Sequence, residues 1–169
     1  GDVYKRQVWK NCHDVDYVGT CHYRRYLLGA DDRILMEDDY EKLLSEYDLI
    51  TTKQVALNNS YYYGFCANHN KKALDAAGEV IKELYPVYYP AFERLVHGTR
   101  TYFGNMFVTS KELYDSYCSW LFSIFAEVEK RICLETGEDA YHKRVFGFIS
   151  EFLLLVWVTV QELSVCECK

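Results

Sequence analysis

The chain has no net positive charge, no evenly spaced cysteine framework and no long unbroken apolar run, and each absence removes a class of protein. Its 169 residues carry a formal net charge of -6 at pH 7 and a pI near 5.4, whereas a general nucleic-acid binder shows a basic balance across the domain. Basic residues occur in local clusters, and nucleic acid is not an expected partner. The seven cysteines stand at 12, 21, 66, 118, 133, 166 and 168. Their scatter favours free thiols in a reducing compartment over a disulfide scaffold. Cys166 and Cys168 form one close pair, and without a second pair they fall short of the four ligands of a structural zinc site. The longest apolar run covers residues 152 to 158, far below the about 18 residues of a membrane span. No spanning segment is expected, and any membrane association would be peripheral. Internal repeats and low-complexity segments are absent.

Half of the residues are apolar, enough for one domain with a real core. Residues 1 to 7 (Gly1-Asp2-Val3-Tyr4-Lys5-Arg6-Gln7) look like translated adapter sequence and are set aside as a non-native lead. Residues 8 to 169 remain as the expected single domain.

Periodicity and punctuation divide that domain. Residues 8 to 13 read as the end of a helix and 17 to 21 as a short buried strand. Tyr40, Leu43, Leu44 and Tyr47 recur at helical spacing in a short helix over 37 to 47, and residues 49 to 52 follow as a β-branched strand. The segment 58 to 70, with Tyr61-Tyr62-Tyr63-Gly64-Phe65, shows no clean period and reads as an aromatic loop. A helix from Lys71 should end before Pro86, and a shorter one should cover 89 to 96. Residues 102 to 109 read as a strand in which Gly104-Asn105 marks a bulge or a close backbone approach. Ser110 is a good N-cap for a long helix ended by Gly137, and a last, largely buried helix covers about 141 to 161. Strands alternating with helices predict an α/β fold.

The chemistry concentrates in His22-Tyr23-Arg24-Arg25-Tyr26, directly after the first strand. Arginine presents a planar fork of donors that matches phosphate oxygens in pairs and stays charged, and ligands of α/β sheets bind at the carboxyl ends of strands. His22, Arg24 and Arg25 are therefore candidates for holding a diphosphate, with Tyr23 and Tyr26 as walls. An ordinary basic surface explains the same residues equally well.

Asn105, among bulky neighbours, either satisfies backbone at the bulge or contacts substrate. Glu151, a lone carboxylate on an apolar helix, must be paired, solvated or functional, and an ion pair with Arg144 is the structural alternative to catalysis. His69, between two asparagines, either lies at a helix N-terminus with no catalytic role or touches substrate. The acidic runs Asp31-Asp32 and Glu37-Asp38-Asp39 suit a helix N-terminus better than a metal.

These residues resemble the family known as domain of unknown function 4422, regarded as GT-A-like glycosyltransferases of capsular and surface polysaccharide gene clusters. The resemblance runs through Asp16-Tyr17-Val18-Gly19-Thr20-Cys21-His22-Tyr23-Arg24-Arg25-Tyr26, then Asn105-Met106-Phe107-Val108, Tyr117-Cys118-Ser119-Trp120 and Arg144-Val145-Phe146-Gly147-Phe148-Ile149-Ser150-Glu151. It covers about residues 8 to 158.

The resemblance implies an incomplete GT-A-like, Rossmann-like sheet flanked by helices, with a helix-rich C-terminal half. The strand and helix that precede Trp9 in family members, and that hold the nucleotide base, are not found here. In GT-A enzymes the first of these strands usually ends in an Asp-x-Asp metal motif, where this chain has His22-Tyr23-Arg24. Cationic side chains in place of a divalent metal are the implied arrangement; a divalent metal stays open as the alternative and is not indicated.

The implied substrates are a nucleotide-sugar donor and a saccharide or lipid-linked glycan acceptor, handled in the bacterial cytoplasm or at the inner face of the membrane. Glu151 is implied as catalytic and Asn105 as a sugar contact. After Glu151 the family's arginine-leucine and asparagine give way to Phe152-Leu153-Leu154-Leu155. A non-catalytic carbohydrate-binding or assembly module, with tyrosines 61 to 63, 88 and 89 as sugar platforms, is the alternative.

Overall fold

Two β-branched and aliphatic segments far apart in the chain, Leu49–Thr52 and Phe107–Ser110, form the middle of a four-stranded mixed sheet. The computed structural model describes residues 16–21, 25–132 and 139–169. In chain order the strands are β1 (Tyr17–Thr20), β2 (Leu49–Thr52), β3 (Val55–Ala56), β4 (Arg100–Thr101), β5 (Phe107–Ser110) and β6 (Val165–Cys168). The helices are α1 (Glu37–Glu46), α2 (Tyr61–Asn68), α3 (Lys71–Leu84), α4 (Tyr89–Val96), α5 (Lys111–Ile132) and α6 (Asp139–Gln161). The main sheet runs β1-β5-β2-β6, antiparallel at its first two junctions and parallel between β2 and β6. β3 and β4 pair separately.

Strand alternation sends neighbouring side chains to opposite faces, and the core divides accordingly. Val18, Leu49 and Phe107 join the large cluster with α2 to α6, while Ile50, Met106 and Cys168 join Leu27 and Leu35 against Tyr40, Leu43 and Leu44 of α1. The sheet thus lies between α1 on one side and the other helices on the other, which is the expected α/β architecture with a helix-rich C-terminal half.

Capping explains where several helices begin. Ser110 Oγ accepts from Leu113 N at 3.2 Å, as its position before the long helix predicts, and Asn70 Oδ1 accepts from Lys72 N at 2.9 Å. The expected aromatic loop at 58 to 70 is instead helix α2, started by Ser60, whose Oγ accepts from Tyr63 N at 3.1 Å. Tyr61 and Phe65 are four apart and buried, but tyrosines at 62 and 63 surround the stripe with aromatic rings and flatten the period. The expected strand at 102 to 109 also divides: β4 ends at Thr101 and β5 begins at Phe107. Between them the backbone turns through left-handed Gly104 (φ 97°) and Asn105 (φ 49°), conformations that glycine adopts freely and asparagine tolerates. The expected helix end at 8 to 13 and the stop at Gly137 lie outside the described residues.

Within α6, residues 144–161 have a mean hydropathy of 1.5, long and apolar enough on average to cross a membrane although the unbroken apolar run is short. In the fold this helix carries the centre of the core: Ile149, Phe152, Leu153 and Val156 are fully buried.

Candidate functional site

The carboxyl end of β1, the turn between β4 and β5, and the first half of α6 meet at Asn105. Thr20 Oγ1, at the last position of β1, donates to Asn105 O at 2.7 Å. The Asn105 side-chain amide donates through Nδ2 to Gly147 O of α6 at 3.0 Å. Ser150 Oγ lies 3.1 Å from Asn105 Oδ1 and 2.8 Å from Gly147 O, within donating distance of both. Ser150 itself is fully buried, where an unmet hydroxyl would cost about 1–3 kcal/mol.

Arg25 lies beside the same turn. Its Nη1 is 3.8 Å from the position a Cβ would take on Gly104, and nothing else lies within 4 Å of that point. A Cβ there would make only ordinary contact with this exposed guanidinium, so position 104 favours glycine for its backbone conformation rather than for space. Tyr26, next in the chain, is 64% exposed. His22, Tyr23 and Arg24 lie outside the described residues.

One face of α6 gathers the remaining candidates. Arg144, Phe148 and Glu151 are spaced four and three apart, which aligns them along one side of a helix. Arg144 is exposed and Glu151 half-buried. The ring of His69, the residue that closes α2, sits on Phe148 at 4.4 Å between centroids and 5.1 Å from Phe65. Burial, and then the positive charge of Arg144, lowers the His69 pKa below its usual 6.5.

Tyr61 is buried and donates its hydroxyl to Phe148 O at 3.2 Å. Burial first, and then the charge of Glu151, pushes its phenol well above the usual range. Tyr61 also stacks on Phe152 at 4.3 Å. It is a core residue and no sugar platform.

The structure thus anchors Asn105 at Gly147 and His69 at Phe148, four and three residues before Glu151 on α6, and places Arg25 beside the Asn105 turn. Sequence reasoning overlooked Thr20, Gly147 and Ser150, although a glycine and a serine just before a carboxylate on an apolar helix were a usable signal. Among the described residues no group of three or more His, Cys, Asp or Glu side chains forms a metal-sized cluster. Cys166 and Cys168 project from β6 with their sulfurs 3.9 Å apart.

This is the architecture of a glycosyltransferase-like α/β protein. Among solved structures the chain is similar to the apo form of WbbM, a bifunctional glycosyltransferase, with a TM-score of 0.82 and 26% identity over 98% of this chain and 35% of that one. The chain therefore spans about a third of that protein's length. No curated protein matches it. Residues 5–162 match the family described as Domain of unknown function (DUF4422), and the chain belongs to that family.

Proposed function

We propose that this domain transfers a sugar from a nucleotide-sugar donor to a saccharide or lipid-linked acceptor during bacterial capsular, exopolysaccharide or lipopolysaccharide synthesis. The observation that carries this reading is the placement of Arg25 beside the bare Gly104 turn, with that turn hydrogen-bonded to the helix that bears Glu151. The turn thereby links a cationic side chain to the helix that carries the carboxylate. The likeness to a bifunctional glycosyltransferase supports the same class of chemistry.

His22, Arg24 and Arg25 hold the donor diphosphate, and their fixed positive charge stabilises the negative charge that develops as the sugar departs. Tyr23 and Tyr26 wall that site. Glu151 takes the proton of the acceptor hydroxyl. His69 borders the sugar.

No divalent metal takes part in this arrangement. The work is done in the cytoplasm or at the inner face of the membrane, where nucleotide sugars meet lipid-linked acceptors.

The test is hydrolysis or transfer over a panel of nucleotide sugars, with and without chelator. Turnover that resists chelator and is abolished by Arg24→Ala and by Glu151→Gln supports the proposal. Chelator-sensitive turnover would sink the metal-free arrangement. Glycan binding with no turnover across the panel would favour a carbohydrate-binding or assembly module.

A further inference from the structure

The geometry points to Asn105 as a positioning residue, one that holds the end of β1 and the Glu151 turn of α6 at a fixed separation rather than contacting the sugar itself. The inference rests on the transferase reading for its kinetic consequence, and on geometry alone for its structural one.

Three features converge. The Asn105 backbone is left-handed at φ 49°, so its side chain leaves the turn in a direction an ordinary strand residue would not use. Its carbonyl receives the Thr20 hydroxyl from the last residue of β1, immediately upstream of the His22 to Tyr26 run. Its amide nitrogen donates to Gly147 O, and its amide oxygen lies in reach of the buried Ser150 hydroxyl. In the α-helical pattern the carbonyl of residue 147 is the one that receives the backbone N–H of residue 151. Asn105 therefore binds the carbonyl on which Glu151's own backbone hangs.

The contact is made to the helix backbone itself, through Gly147 O, and a Cβ at 147 would point into open space with no atom within 4 Å. A longer or β-branched residue at 105 would have neither the backbone tolerance nor the paired donor and acceptor that match Gly147 O and Ser150 Oγ. A side chain engaged at both ends by the protein is built to hold position. A displacement of about 1 Å at a reacting group can cost on the order of a hundredfold in rate.

Asn105→Gly is the informative substitution because it keeps the left-handed backbone while deleting the amide. Ser150→Ala removes one partner and leaves the turn alone. Amide hydrogen exchange on the whole chain, without ligand, gives the structural answer. Asn105→Gly should raise exchange in peptides covering residues 144 to 151 and leave α3 unchanged.

Steady-state kinetics on the nucleotide-sugar panel give the other. Asn105→Gly should lower kcat on the order of tenfold or more while donor KM holds within about twofold. Ser150→Ala should reproduce part of that loss, and the double variant should lose less than the sum of the singles. Two results would overturn the inference: wild-type exchange over 144 to 151 in Asn105→Gly, or a raised donor KM at constant kcat with Ser150→Ala unaffected, which is the signature of direct sugar contact. If the unaltered chain turns over no donor, the transferase reading fails by itself and the exchange result alone decides the role of Asn105.

Discussion

His69 stacks on Phe148 with ring centroids 4.4 Å apart and planes inclined by 30°, so a titratable side chain from the end of α2 is held against the helix that carries Glu151. Partial burial and the nearby Arg144 charge both favour its neutral form. In the unfolded chain the imidazole takes up a proton near its ordinary value, and in the folded chain it resists until lower pH.

The unfolded state consequently binds more protons between those two values, and stability falls as pH drops through the window from 6.5 to the depressed folded value. Above that window the contribution is fully present. Urea unfolding at about pH 7.5 and about pH 5.5 should show a larger loss for the native chain than for His69→Gln. Equal losses would show that the acid sensitivity has another source.

Two glycines in helices predict opposite outcomes. At Gly78 of α3 an added Cβ would lie 2.8 Å from Phe92 Cε1, and Phe92 is buried with little room to retreat. At Gly64 of α2 the same atom would meet nothing within 4 Å. Alanine in a helix gains about 0.5–1 kcal/mol over glycine, whereas overpacking a core costs about 1–3 kcal/mol. Gly78→Ala should therefore destabilise by about 1–2 kcal/mol, and Gly64→Ala should stabilise by up to about 1 kcal/mol. Paired denaturant melts decide both.

Cysteine reactivity should separate by environment. Cys168 is buried in the smaller core cluster, and its thiol is pushed up to about 12, chiefly by burial and secondarily by Cys166. Cys21 is exposed. Because the thiolate is the reactive form, iodoacetamide at about pH 8 should modify Cys21 first and Cys168 on the order of a hundredfold more slowly. Mass spectrometry of timed digests reads this directly. Comparable rates would mean that β6 opens readily from the sheet.

Much of the fold was legible because its signals are local. Residues 49 to 52 announce a strand by β-branching after an amphipathic helix, Tyr89–Val96 is marked by Pro90 and its apolar spacing, and Ser110 announces α5 by its cap. What escaped was decided by distant partners. Val165–Cys168 has no alternation to speak of, and it is a strand because β2 offers a parallel edge. Gly104-Asn105 advertised an unusual backbone, but nothing in its neighbourhood says that the partner is Gly147, 42 positions away. The site was legible to the same degree: the residue types were readable, while the contact of His69 with Phe148 and that of Arg25 with Gly104 exist only after the helices have packed.

The placement of β2 in the sheet carries a consequence for the order of events during synthesis. Asp48, at its leading edge, accepts from Thr109 Oγ1 across 61 positions and from Ser164 N across 116. One neighbour of β2 thus leaves the ribosome midway through the chain, and the other only after both long helices have been made. Pairing over such separations slows folding, and a nascent chain that ends after α5 still holds β2 with one side unpaired. Completion of this sheet waits for residues 165 to 168, and pausing of translation before residue 165 would prolong a state with an open, apolar strand edge that invites association with other chains.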